Sequence, residues 1–526
     1  MKTFATGRSS VVVGLCAVPF IFGLLALALG QDANWDLRNY HYYVASAWLT
    51  GRLGLDVAVA YHNTFHNPTL DLITYFGRQE LSPKLFGFLL GSFQGLNFVI
   101  LFLVARSVHA AESTRAQNGW GSVAAIVGSL GAGGAAELGA TFGDNLISVP
   151  ILSALCVGLS RRRFPRATQW LLMGLLVGLA AGLKATALFY VVGFGLSLCV
   201  SGGGPVRVLE KLLGYAAGFS AGFLLTAGHW CMYLWRTYGN PSFPYANNLF
   251  RSPFALPWDY RDVRYLPRSL VDWLATPFFS VFAPLRVGEV PFFDLRIPAA
   301  LVVIALYGFA RMRHRARPLG EGARFLIAAF VSSLVLWIGL FSIYRYAIPL
   351  EMLAPCLVAA LLSRFDLSAS KQALIALATC AVCLVTTRPG QWGRRPWSSD
   401  LFGIALPRIP DLDRSLVFIN GSWPLAYLAT ALPATTPLLR LEGSGDPTRN
   451  PDFPGPVGGP TRLEQMVRAR ISAHTGPMYL LSRAPARADY ALHAHRLHRS
   501  AKPCHDFKPY IEDLPLHLCE VEPFSR

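Results

Sequence analysis

Long uncharged apolar runs, separated by short polar stretches, set the pattern of this chain. Residues 9–30, 85–105 and 325–344 contain no Asp, Glu, Lys or Arg. A run of about 20 apolar residues is long enough to cross a bilayer as a helix. Less ideal runs lie at 119–136, 145–160, 169–183, 185–200, 212–235, 297–310, 346–363 and 372–387. Together they predict about eleven transmembrane helices. The first run ends in Ala28-Leu29-Gly30, a tolerable signal-peptide cleavage site, but its length favours an uncleaved anchor. Beyond residue 387 the pattern changes. Leu416-Val417-Phe418-Ile419 and Met478-Tyr479-Leu480-Leu481 read as strands, 463–471 as a short amphipathic helix, and Pro and Gly crowd 444–460. The expectation is an α-helical polytopic membrane domain over 1–387, with long loops at 31–84 and 236–296. A small α/β domain follows over 388–526.

Composition agrees with a membrane protein. Of 526 residues, 53% are hydrophobic and only 15% charged, against about 25% charged in ordinary soluble domains. The net charge of +17 raises the question of nucleic acid, and its distribution answers it. Arg161-Arg162-Arg163 with Arg166, the set Arg311, Arg313, Arg315 and Arg317, and Lys2, Arg8, Arg106, Arg115, Arg207, Lys211, Arg364 and Lys371 fall in loops of one parity. That is the positive-inside pattern. It puts the N-terminus in the cytoplasm and 31–84, 236–296 and 388–526 outside it, in a multi-pass protein of the inner (plasma) membrane. No nucleic-acid partner is expected. Of nine cysteines, Cys504 and Cys519 stand apart in the polar tail. If the tail is outside the cytoplasm, these two can pair as a disulfide.

Candidate chemistry gathers at the outer ends of the predicted helices. Directly after the first span comes Trp35-Asp36-Leu37-Arg38-Asn39-Tyr40-His41-Tyr42-Tyr43, with Asp32 just before it. Polar groups at a membrane face, in a chain of apolar helices, are candidate functional residues. If 36–41 is an α-helix, Asn39 and Tyr40 share the face of Asp36 at i+3 and i+4, and His41 points elsewhere. Glu137 and Asp144 flank the junction of the third and fourth spans. Lys184 interrupts two apolar half-runs, Arg345 sits in Tyr344-Arg345-Tyr346, and Glu351 lies inside the next span. Lys and Arg at the mouth of an apolar groove suit a lipid phosphate or diphosphate. A carboxylate there can take a proton from an acceptor hydroxyl, and a second can hold a divalent cation. Asn240 opens Asn240-Pro241-Ser242-Phe243-Pro244-Tyr245, a stiff turn that suits either an interfacial aromatic belt or a cavity wall. His62 and His66 are four apart, but Asn67-Pro68 follows at once. Neither they nor Cys504, His505 and Cys519 are assigned to a metal.

An acidic, Tyr- and His-bearing first outer loop, a second acidic position before the fourth span, many spans and a soluble C-terminal domain together resemble the GT-C superfamily. These are integral-membrane glycosyltransferases that use polyprenyl-phosphate-linked sugars. The segments 239–245, 182–186 and 344–346 are similar to stretches of uncharacterised bacterial members, and the likeness covers about 11–387. What the resemblance implies is inverting hexosyl or pentosyl transfer at the outer face of a bacterial inner membrane, as part of cell-envelope chemistry. The acceptor is left open among glycan, lipid and protein. By the resemblance, the base falls on Asp36, or on Asp32 in a shifted register, with His41 ranked behind, and the second acidic position on Asp144. Asp32, Asn39, Tyr40, Lys184, Asn240, Tyr344, Arg345 and Glu351 are assigned to the substrate. The adjacent acidic pair usual in that first loop is absent, which leaves a divalent cation open. Two other readings stand beside this one: a transporter or lipid flippase, and a non-catalytic assembly factor of the same fold. A transporter usually shows internal repeats and polar residues at mid-span. This chain shows no repeat, and its polar residues cluster at one face.

Overall fold

The computed structural model describes residues 2–109, 112–160, 165–200, 202–421, 423–441 and 461–524. The 161–163 arginine run and the 444–460 segment lie outside the described residues. So do the side chains of Lys2, Arg8 and Arg166.

A helix occupies each of the eleven apolar stretches. Among the described residues, four helices are long and apolar enough to cross a membrane by length and composition: Pro83–Val108, Pro205–Tyr238, Glu321–Leu340 and Tyr344–Leu362. Shorter apolar helices include Val13–Leu29, Asp144–Leu159, Ala167–Leu183, Ala185–Cys199 and Ser370–Thr386. Chain contacts divide the molecule into two units. The first holds residues up to Gly30, Gly87–Ala227 and Val263–Trp392; the second holds Gln31–Phe86, Gly228–Asp262 and the chain from Gly393 onward.

In the first unit the helix Arg166–Leu183 packs closely against Pro205–Phe223. Glycines make that approach. A Cβ at Gly174 would collide with the Tyr215 carbonyl, and one at Gly218 with the Leu171 carbonyl. Small residues that let backbones touch are the usual device of membrane helix pairs, where packing replaces the hydrophobic effect.

The second unit is built on a sheet from the tail, to which the first loop adds. A two-residue ribbon pairs β1 (Gln31–Asp32) antiparallel with β2 (Arg394–Arg395). The main sheet contains β3 (Leu416–Ile419), β4 (Leu438–Arg440), β5 (Met478–Ser482), β6 (Leu497–Arg499), β7 (His505–Phe507) and β8 (Leu516–Pro523). Its order is β4-β3-β5-β8-β6, with β7 also on β8. β3 runs parallel to β4 and β5, and the β8 pairings are antiparallel. β3, β4 and β5 are buried along their whole length, which for the central strands β3 and β5 means cover on both faces. One face packs on Leu37, Tyr42, Tyr43 and Val44 of the first loop. The helix Arg462–Ala473 starts with a reciprocal capping box between Thr461 and Glu464 and buries Leu463 and Val467. Cys504 and Cys519 form a disulfide next to β7 and on β8.

Candidate functional site

In the first unit three sequence candidates meet. Asp144 is the first residue of the helix Asp144–Leu159, entered through Gly143 at φ +88°. Only glycine takes that left-handed conformation at low cost, and a carboxylate in a first helical turn is favoured by the helix dipole. Lys184 breaks the chain between Arg166–Leu183 and the next short turn, in extended conformation. Arg345 lies in the single turn Tyr344–Ala347, ahead of Ile348–Leu362.

Lys184 Nζ is 2.7 Å from Asp144 Oδ2 and donates to the Phe142 carbonyl at 2.8 Å. Arg345 Nη1 is 3.7 Å from the same Asp144 oxygen. Its other edge is held by Glu289, with Nη2 and Nε at 2.8 and 3.2 Å from Oε1. The guanidinium rests 4.5 Å from the Phe142 ring centroid, a cation–π contact that holds a planar cation in place. Glu137 completes the group. It is fully buried, and Oε2 accepts from the Asn145 amide at 3.3 Å. Burial, then the neighbouring Asp144 charge, push its carboxyl well above the usual range, against the pull of Lys184 and Arg345.

Two cations thus share two carboxylates beside a third whose carboxyl is pushed up by burial and by Asp144. Glu289 is the most exposed member of the group, at 27% against 1% for Asp144. It holds Arg345 through two nitrogens, Nη2 and Nε. The sequence reading did not single out Glu289. It lies in a loop, where no hydrophobic period marks a carboxylate as special.

Glu351 and Tyr344 belong to another buried network of the same unit. Glu351 accepts from the Gly133 and Gly134 amides at 2.9 and 3.0 Å, and Asp294 accepts from Ala132 at 2.9 Å. Two carboxylates therefore cap the three leading amides of the short helix Ala132–Ala136. Arg296 pairs with Asp294 at 2.5 Å and donates to the Val127 and Leu130 carbonyls at 2.7 and 2.8 Å. It thereby closes the end of Thr114–Ser129. Tyr344 packs on Phe292 at 4.4 Å. This geometry assigns Glu351 to helix capping. Arg296→Leu strands Asp294 in a dry site, and loss of one partner of a buried pair costs about 3–5 kcal/mol. The expected outcome is a large fall in the thermal midpoint of the detergent-purified protein; an unchanged midpoint contradicts the structural role.

The first-loop candidates lie in the second unit. Asp32, on β1, accepts from the Asn34 amide and side chain at 3.1 and 2.9 Å. Asp36 is buried and leads into the turn Leu37–His41, whose hydrogen bonds are of the i→i+5, π-helical kind. The wider turn changes which residues share a face. Asn39 falls short of one full turn from Asp36, and residues four and five on, Tyr40 and His41, come round beside it. The α-helical expectation placed Asn39 there and sent His41 away. Tyr40 packs at 4.2 Å on His41 and 4.9 Å on His66. His62 and His66 do not share an α-helical face: Tyr61–Phe65 is a 3-10 turn and His66 is extended. His66 Nε2 instead meets Tyr245 Oη at 2.8 Å. Asn240 is fully buried and holds its own turn, accepting from Ser242 N at 2.9 Å and donating to the Tyr245 carbonyl at 3.0 Å.

No family model matches the chain, and no curated protein matches it. Two solved structures are similar to it. One is ArnT from Cupriavidus metallidurans bound to undecaprenyl phosphate, at 17% identity and a TM-score of 0.44, over 71% of this chain. This chain spans 64% of that protein's length. The other is the apo form of the Archaeoglobus fulgidus oligosaccharyltransferase, at 11% identity and a TM-score of 0.43, over 91% of this chain and 70% of that one.

Proposed function

We propose that the chain is a GT-C-like membrane glycosyltransferase that moves a sugar from a polyprenyl-phosphate donor to an acceptor at the outer face of the membrane. The observation that carries this reading is the convergence of Lys184 and Arg345 on Asp144, in a unit made of apolar helices. A lipid-linked phosphate needs cations held where an apolar chain can also lie. In this reading Lys184 and Arg345 bind the phosphate, Asp144 fixes both, and Glu289 yields its place on Arg345. A carboxylate takes the proton of the acceptor hydroxyl, and the family resemblance puts that role on Asp36. The acceptor oxygen attacks the anomeric carbon from the face opposite the phosphate, the anomeric carbon–oxygen bond breaks, and the configuration inverts. Negative charge that develops on the departing phosphate is neutralised by the two cations.

A divalent cation fits this cluster poorly. Asp144 already meets Lys184 at 2.7 Å, and among the described residues no group of three His, Cys, Asp or Glu could hold a metal.

The test is sugar transfer in membranes supplied with radiolabelled polyprenyl-phosphate hexoses and pentoses. Transfer from one of them, dependent on Asp36 and Arg345, is expected; failure with the whole panel counts against the reading. Glu289→Ala should raise donor affinity several-fold, because Arg345 then needs no exchange of partners, and a titration that shows weaker binding would contradict this. Topology has its own check. The basic-loop parity and the tail disulfide favour an extracytoplasmic C-terminus. An alkaline phosphatase fused after Arg526 should be active, and an inactive fusion refutes that orientation.

A further inference from the structure

In the tail sheet β3 runs parallel to both its neighbours, and the chain visits β4 on one side before β5 on the other. The turn after β3, Ala426–Ala431, packs on the face of Val417 and Ile419. The helix after β5, Asp489–Ala494, packs on the opposite face, with Leu416 and Phe418. The segments that leave the carboxyl ends of β3 and β5 therefore part to opposite faces. Such a divergence is the switch point at which open α/β sheets bind their ligands. Arginines converge on it. Arg440 lies two residues beyond Leu438 and Arg483 two beyond Leu481, so both continue the face that those leucines share. Arg440 donates to the Gly421 carbonyl, just past β3, at 2.6 Å. Arg483 Nη2 and Arg38 Nη1 meet the same atom, Glu512 Oε2, at 3.3 and 3.1 Å.

The two guanidiniums are fixed in place. Glu512 is fully buried, and Tyr427 Oη donates to its other oxygen at 3.1 Å. The Trp423 ring supports Arg483 at 4.7 Å. The side chains of Arg38 and Arg483 are only 13% and 10% exposed. One carboxylate cannot balance two such cations, and it engages one terminal nitrogen of each. Nε of both is buried and has no hydrogen-bond partner among the described residues. A guanidinium offers five N–H donors, so most of those gathered here are left for a ligand. Fixed, shielded arginines suit an oxyanion, which takes parallel bonds from a guanidinium edge. We propose that Arg38 and Arg483, held by Glu512, form a subsite for the carboxylate or phosphate group of an acidic sugar. Arg38 belongs to the turn that Asp36 leads. Resting on the sugar-transfer reading above, the acidic sugar is therefore the acceptor, anchored beside the carboxylate that takes its proton. Glu512 and Tyr427 are positioning residues, and no bond is made or broken at the subsite itself.

The experiment titrates the full chain in detergent with the methyl glycoside of glucuronic acid, a hexose monophosphate, inorganic phosphate and neutral methyl glucoside. Saturable binding of an acidic sugar, weakened by added salt, is expected, with methyl glucoside at least about tenfold weaker. A response to the glucuronide points to a carboxylate ligand, and a response to the hexose phosphate points to a phosphate. Arg483→Lys and Arg38→Lys each keep a cation against Glu512 but lose the planar fork. Each should weaken the responding probe about tenfold, with the thermal midpoint little changed. A response that survives both variants at full strength overturns the subsite. So does a wild-type protein that binds neither acidic sugar, or binds methyl glucoside or inorganic phosphate as tightly, without recourse to a variant. Transfer to a neutral acceptor by protein that binds no acidic sugar overturns the subsite alone. Binding of an acidic sugar, lost in the variants, by protein that transfers nothing supports the subsite and overturns only the proposed reaction.

Discussion

Asp36→Asn should leave sugar transfer about a hundred- to ten-thousandfold below wild type, which is the usual contribution of a positioned base. The substitution keeps size and hydrogen-bonding shape and removes only the proton acceptor. Asp36 is buried at the head of the π-helical turn, so the variant changes chemistry without opening a cavity. The competing role for an acidic residue there is helix capping, and Asn caps as well as Asp does. The two roles therefore predict opposite outcomes: near-complete loss of transfer for a base, near-wild-type transfer for a cap. The check is the initial rate in membranes matched for the amount of inserted protein. Near-wild-type activity would move the base to Asp32 or Asp144.

Arg345→Ala should cost transfer about a hundred- to a thousandfold, as loss of a preorganised donor at developing negative charge typically does. Arg345→Lys should recover only part of it. Lys keeps the charge but has no planar fork to offer two parallel bonds, and it loses the flat contact with Phe142 at 4.5 Å. The fold should survive either change. Asp144 keeps Lys184 at 2.7 Å, and Glu289, at 27% exposed, can turn to water. A rate that falls together with the thermal midpoint would instead assign Arg345 to structure.

What could be read from the chain follows from where each signal is stored. Apolar length is local, so the run 325–344 already marks the helix Glu321–Leu340. The strands at 416–419 and 478–481 are equally legible, because buried central strands are continuous apolar runs. Lys184 stands out because a lysine between apolar half-runs has few structural excuses. Other features are stored in long-range pairing. Glu351 looks like a site residue by the same logic as Lys184, yet its partners are amides more than two hundred residues away. Glu289 carries no mark until Arg345 is seen beside it. β8 alternates His and Glu with Leu, Cys and Val, and only its pairing with β5 makes it part of the core. The π-helical turn is the hardest case. Nothing in Asp36 to His41 distinguishes i→i+4 from i→i+5 bonding, and that one difference decides which residues join Asp36 on its face.

The central claim is that Lys184 and Arg345 hold the phosphate of a lipid-linked donor. Equilibrium binding of a polyprenyl phosphate to the detergent-purified protein tests it most directly, without any need to know the sugar or the acceptor. A hydrogen bond to a charged group is worth about 1.5–3 kcal/mol, and about 1.4 kcal/mol is tenfold in affinity. Lys184→Ala and Arg345→Ala should therefore each weaken binding by roughly ten- to a hundredfold relative to wild type, with normal folding. Unchanged affinity in both variants would contradict the assignment.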